Sequence, residues 1–158
     1  MSDIPDRLRE LGLRAAADQL SDVVARAAKE RWGPLQVFEH VADLEEKDRA
    51  RRSLERRLAR SRLGRFKPIA DFDWGWPSRI DRDRVEAALR LEFLAETRNV
   101  VLVAPQGLGK TMIAQNIAHE AILAGHSVLV VTAAQLLLDL AGQDSARSLD
   151  RRLRHYAK

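Results

Sequence analysis

A chain of 158 residues has room for one domain, or a small one with part of another. It has no cysteine, which excludes disulfides and Cys-based zinc sites and suits a reducing, cytoplasmic setting. The formal net charge is +4, yet the span from Lys47 to Lys67 sets ten basic residues against only Asp48 and Glu55, a local +8 that leaves −4 for the rest and points to a polyanion partner.

The start, Met1-Ser-Asp-Ile-Pro-Asp-Arg7, is polar and lacks a signal-peptide apolar core. No apolar run approaches the length of a membrane span, so no membrane partner is expected. Apolar spacing then predicts helix from residue 4 to about 31, with a break at Gly12. Trp32-Gly33-Pro34 punctuates, and Pro34 suits the first turn of a long helix running to about Ser61. On that helix Arg49, Arg52, Arg56 and Arg60 follow three- and four-residue steps and share a face. Such a face is either solvated or in contact with a phosphate backbone, and both readings stand at this point. No aromatics interleave the arginines, so base stacking is not indicated.

Residues 66–79 form a connector, since Pro68, Gly75 and Pro77 disfavour helix. Phe72, Trp74 and Trp76 alternate within it, and anchoring onto the next domain is preferred over packing against an adenine. Asp81 is placed to cap a helix reaching about Thr97. Asn99-Val-Val-Leu-Val103 reads as a buried strand, Met112–Ala124 as a helix closed at Gly125-His126, and Ser127-Val-Leu-Val-Val131 as a second strand. A βαβ start follows. A short apolar helix over 133–140, a loop over 142–146 and a basic helix over 148–157 complete the chain. The histidines at 40, 119, 126 and 155 show no metal-ligand spacing.

Between the first strand and its helix lies Ala104-Pro105-Gln106-Gly107-Leu108-Gly109-Lys110-Thr111, a Walker A pattern in its strand–loop–helix context. Gly107 and Gly109 let successive N–H groups converge on one phosphate, and the helix N-terminus adds partial positive charge. Lys110 reaches toward β- and γ-phosphates, and the Thr111 hydroxyl is the Mg²⁺ ligand. Ala104 stands where the strict pattern has Gly, which is sound if its φ stays negative.

With Leu8-Arg-Glu-Leu-Gly-Leu13, Phe72-Asp-Trp74, Ile80-Asp81, Phe93-Leu94, the loop, Thr132-Ala-Ala-Gln-Leu-Leu-Leu-Asp-Leu140 and Arg151-Arg-Leu-Arg-His-Tyr-Ala-Lys158, the chain resembles the IstB-like ATP-binding proteins. These are helper ATPases of two-gene insertion-sequence transposons, related to the DnaC-like helicase loaders of the AAA+ class. The resemblance covers essentially the whole chain and implies an α/β class: a helical N-terminal domain (1–66), a linker (67–80), and the first part of a P-loop, Rossmann-like AAA+ domain (81–158), its sheet incomplete. It further implies ATP and Mg²⁺ as cofactors, DNA and a partner transposase as partners, and a homo-oligomer in the complete family member. Family members continue into an apolar strand ending in Asp-Glu. No such run follows Thr111, so the chain is expected to be truncated before Walker B and poor at hydrolysis, which needs a positioned water and charge stabilisation. The alternatives are a helicase-loader relative and a non-enzymatic DNA-binding or interaction remnant, in which the basic helix acts and the loop is vestigial. A small P-loop kinase is disfavoured for want of a lid signature.

Overall fold

The computed structural model describes residues 3–76 and 79–156. Pro77 of the expected connector and Ala157 of the expected last helix lie outside the described residues, as does Lys158. Two compact units form, Met1–Glu55 and Arg56–Lys158. Among the described residues no helix is long and apolar enough to cross a membrane.

In the first unit, α1 (Ile4–Glu10) starts where the Asp3 side chain accepts a hydrogen bond from Ile4 N at 2.8 Å. It stops at Gly12, which takes φ +83°. There Leu13 N donates to Leu8 O at 2.8 Å and Gly12 N to Arg9 O at 3.0 Å, the paired bonds of a Schellman close. The sequence break is thus a left-handed residue that glycine alone adopts without strain. Next come α2 (Arg14–Asp18) and α3 (Leu20–Glu30), then α4 (Pro34–Ser61), which spans the expected residues. Gly33 N donates to Gln36 Oε1 at 2.8 Å at the head of α4, half of a capping box. The buried set is Ala15, Ala16, Ala17 and Val23, with one carboxylate, Glu45 of α4. Glu45 Oε1 accepts from Ala16 N at 2.9 Å, serving α2, which has no side-chain cap of its own because Leu13 precedes it.

The second unit takes in the end of α4. It continues through a 3-10 turn (Ile69–Asp71), α5 (Arg82–Leu89), α6 (Glu92–Ala95), α7 (Lys110–Leu123), α8 (Ala133–Ala141) and α9 (Ala146–Tyr156). Asp81 caps α5, accepting from Arg84 N at 3.1 Å. The single helix expected from 81 to 97 is interrupted: Leu91 takes φ +62°. The turn lets Leu89, Leu91 and Phe93 all pack on the core of Phe72, Val85, Ala88, Ile113 and Ile117, so packing outweighs the local strain. The end of α7 is as expected, with His126 N donating to Ala121 O at 2.9 Å around left-handed Gly125.

The sheet expected on the two apolar runs is not seen in the structure. Among the described residues no strand is present, and residues 99–103 and 127–131 are not laddered to each other. Val101 and Val103 are 77% and 89% exposed, and Val130 N instead donates to Ser61 O at 2.7 Å, at the end of α4. Apolar runs favour a strand only when a neighbour pairs with their backbone groups, and neither run has a laddered neighbour among the described residues. The described residues are therefore largely helical, and the Rossmann-like sheet is not seen among them.

Candidate functional site

The glycine loop enters α7 at its N-terminus. Gly107 and Gly109 take φ +85° and +79°. Gly109 is the residue at the helix cap, where no side chain supplies a hydrogen bond. Left-handed non-glycines among the described residues are Arg31, Arg62, Leu91 and Thr97, so Ala104 keeps a negative φ and needs no glycine there. Lys110 Nζ donates to Ala104 O at 2.7 Å and to Pro105 O at 2.6 Å, so the ammonium lies over the loop's own carbonyls. Thr111 follows, exposed on the first turn. Pro105 and Gln106 are exposed, and Leu108 is half-buried. Two left-handed glycines, an uncapped helix start and a lysine suit an anion with several oxygens. Among the described residues no cluster of three His, Cys, Asp or Glu side chains could hold a metal, and Thr111 remains the metal ligand expected from the sequence.

Two features hold this loop that residue patterns did not disclose. A Cβ placed on Gly109 would lie 2.5 Å from Phe72 Cε2, so glycine is required there by shape as well as by φ. Asn116, buried on α7, accepts from Ile69 N at 2.9 Å and donates to Lys67 O at 2.9 Å and Met112 O at 2.8 Å. The usable signal was a polar residue on the apolar stripe of Ile113 and Ile117, since a buried amide must find partners. Phe66 and His119 add a tilted ring contact at 5.2 Å. The connector is thus anchored along α7, and Phe72 is a core residue, as its anchoring role required.

The four arginines expected to share a face of α4, those at 49, 52, 56 and 60, differ. Arg52 Nε lies 2.7 Å from Asp48 Oδ2, an ion pair by distance although the N–H does not point at the oxygen. Arg51 bridges Asp48 at 2.6 Å and Glu55 at 2.8 Å. Its hydrogen bond, with the nearby charge of Arg52, holds the Asp48 carboxyl below the usual range. Arg49, Arg56 and Arg60 are exposed and make no ion pair among the described residues.

A further cluster joins α8 to α9. Thr132 and Gln135 form a reciprocal capping box at the start of α8. Farther along, Asp139 accepts from Arg152 Nε and, at 2.6 Å, from the Tyr156 hydroxyl. These bonds lower the Asp139 carboxyl pKa and raise that of the Tyr156 phenol. Arg152 also lies over the Tyr156 ring, 5.4 Å from its centroid.

The chain is 33% identical over 154 residues to a protein named as an ATP-binding protein in an insertion sequence of Mycobacterium tuberculosis, covering 96% of this chain and 60% of that one. It is 28% identical to the protein named for ATP binding in insertion sequence IS21 of Pseudomonas aeruginosa, over 97% of this chain and 58% of that one. A relative named for IS5376 of Geobacillus stearothermophilus is 26% identical over 98% of this chain and 62% of its own length. The chain therefore spans about three fifths of the curated relatives it matches. The family described as IstB-like ATP binding protein matches residues 6–158, and with the glycine loop at the head of α7 this chain belongs to that family.

Proposed function

We propose that residues 104–111 bind the phosphates of Mg-ATP, and that the chain is an ATP-binding helper of insertion-sequence transposition. The observation that carries the first part is the pair of left-handed glycines at the uncapped start of α7, with Lys110 on the same loop. In this reading Lys110 leaves the carbonyls of Ala104 and Pro105 for phosphate oxygens, and the Thr111 hydroxyl ligates Mg²⁺. ATP phosphate oxygens supply further ligands to the metal.

The second part is supported by relatives named for insertion sequences. DNA, a partner transposase and further copies of the chain are the proposed partners, in a cytoplasmic setting. Among Arg49, Arg52, Arg56 and Arg60, those at 49, 56 and 60 carry the proposed phosphate-backbone contact, because Arg52 is committed to Asp48. The division into a helical part (1–66), a linker (67–80) and an ATP-binding part (81–158) belongs to the same proposal. So does an α/β sheet built on 99–103 and 127–131, supported by the β-branched apolar runs on either side of α7.

Calorimetric titration of the chain with Mg-ATP tests the nucleotide reading, with Lys110→Ala as control. Binding that disappears in the variant is expected. Binding of equal strength in both proteins, or in neither, would sink it.

A further inference from the structure

We propose that Phe72 is a positioning residue for the phosphate loop, and that Trp74 beside it reports the loop's occupancy. This rests on the nucleotide reading above. The ring of Phe72 stands against Gly109 so closely that an added Cβ would meet Cε2 at 2.5 Å, Cδ2 at 3.3 Å and Cζ at 3.4 Å. Gly107 differs: a Cβ there would meet nothing within 4 Å. The two glycines therefore answer different demands. Gly107 answers to backbone conformation alone, and Gly109 to conformation and to the ring.

The ring is itself fixed. Phe72 is 8% exposed and packs with Val85, Ala88, Ile113 and Ile117. Its N–H donates to Ile69 O at 3.0 Å, closing the turn that Asn116 ties to α7. Phe72 is thus held to the body of the helix whose first turn carries Lys110 and Thr111. Pressed against the residue before Lys110, it limits the positions Gly109 can take. Restricting a loop before its ligand arrives lowers the ordering cost of binding.

On its other side Phe72 meets Trp74 edge to face, with centroids 4.8 Å apart and planes at 62°. The Arg82 guanidinium lies over the Trp74 ring, 4.9 Å from its centroid. A phosphate that draws in the backbone N–H groups around Gly109 presses on the Phe72 ring, which yields only slightly within its packed site. That slight shift alters the edge contact and the cation that govern Trp74 emission.

The test uses the full chain carrying Trp32→Phe and Trp76→Phe, which leaves Trp74 as its single tryptophan, titrated with Mg-ATP by calorimetry and by emission in parallel. Trp74 emission is expected to change with the calorimetric midpoint. Phe72→Leu, checked for retained helix by circular dichroism, is expected to bind on the order of tenfold more weakly and to lose the emission change, because a loop no longer held before binding must be ordered at the expense of affinity. Calorimetric binding with unmoved Trp74 emission overturns the proposal, as does undiminished affinity in Phe72→Leu. If Phe72→Leu does not fold, the Trp74 titration decides alone. No calorimetric binding by the native chain removes the nucleotide reading, and this proposal falls with it.

Discussion

Asn116 of α7 and Ile69 of the connector are joined by a hydrogen bond of 2.9 Å across 47 residues of chain. The same amide donates to Lys67 O, so one buried side chain satisfies a donor and an acceptor in a segment with few backbone partners of its own. Asn116→Leu is expected to leave both groups unpaired. The expected loss is about 1–2 kcal/mol in urea unfolding, from two part-buried backbone groups that lose their partner. A loss below about 0.5 kcal/mol, the range of ordinary surface changes, would show that water replaces the amide without penalty.

Gly107 and Gly109 separate conformation from contact. Alanine at either position must hold a left-handed φ, which costs roughly 1–2 kcal/mol. At Gly109 the added methyl also meets the Phe72 ring, and overpacking adds about 1–3 kcal/mol. Gly109→Ala should therefore destabilise the chain more than Gly107→Ala. Equal midpoints in chemical denaturation would mean that the Phe72 ring moves aside freely.

Glu45 is 4% exposed and caps α2 through Ala16 N. Glu45→Ala is expected to cost roughly 2 kcal/mol, since it strands that N–H in the interior. Glu45 Oε2 has no hydrogen-bond partner, so Glu45→Gln keeps the useful oxygen and is expected to lose less. Thermal melts of the two variants decide. Identical melting temperatures for Ala and Gln would show that the capping bond contributes nothing.

The Asp139–Arg152–Tyr156 cluster has a two-sided pH dependence. The Asp139 carboxyl is lowered, first by the hydrogen bond from Arg152 and then by that from Tyr156. A depressed carboxyl contributes stability that is full above its unfolded pKa of about 3.9 and is lost as pH falls through the lower folded value. The Tyr156 phenol is raised, chiefly by its bond to Asp139. Its contribution is full below the unfolded pKa of about 10 and is lost as pH rises through the higher folded value. Tyr156 is the chain's single tyrosine, so phenolate absorbance reads it directly. Asp139→Asn is expected to lower the absorbance midpoint toward an ordinary tyrosine, and an unchanged midpoint would remove Asp139 as the cause.

The basic face of α4 predicts a salt law. Removing one arginine from the phosphate backbone should flatten the slope of log K against log salt by about 0.9 for duplex DNA. Arg49→Ala, Arg56→Ala and Arg60→Ala are each expected to do so, and Arg52→Ala to do so less, because Arg52 is paired with Asp48. Filter binding across a salt series gives the slopes. Salt-independent binding, or none, would leave α4 as a solvated helix.

Several elements were legible in the sequence because their signals act within a turn of chain. Pro34 opens α4, Gly12 ends α1, Asp81 caps α5 and Gly125 closes α7. The family, too, followed from local motifs read together. The break at Leu91 was not legible, since a leucine has no local reason to take a positive φ and does so here for the core. Nor were the two apolar runs decisive, for hydropathy marks a segment fit for a strand and says nothing of whether a partner lies beside it. By itself, then, the sequence determined where helices start and stop and which residues make the glycine loop. Only the tertiary structure decided that Phe72 closes on Gly109, that Asn116 ties the connector to α7 and that Asp139 reaches Tyr156. These contacts join residues distant in sequence or on separate helices, and only packing brings their atoms into range.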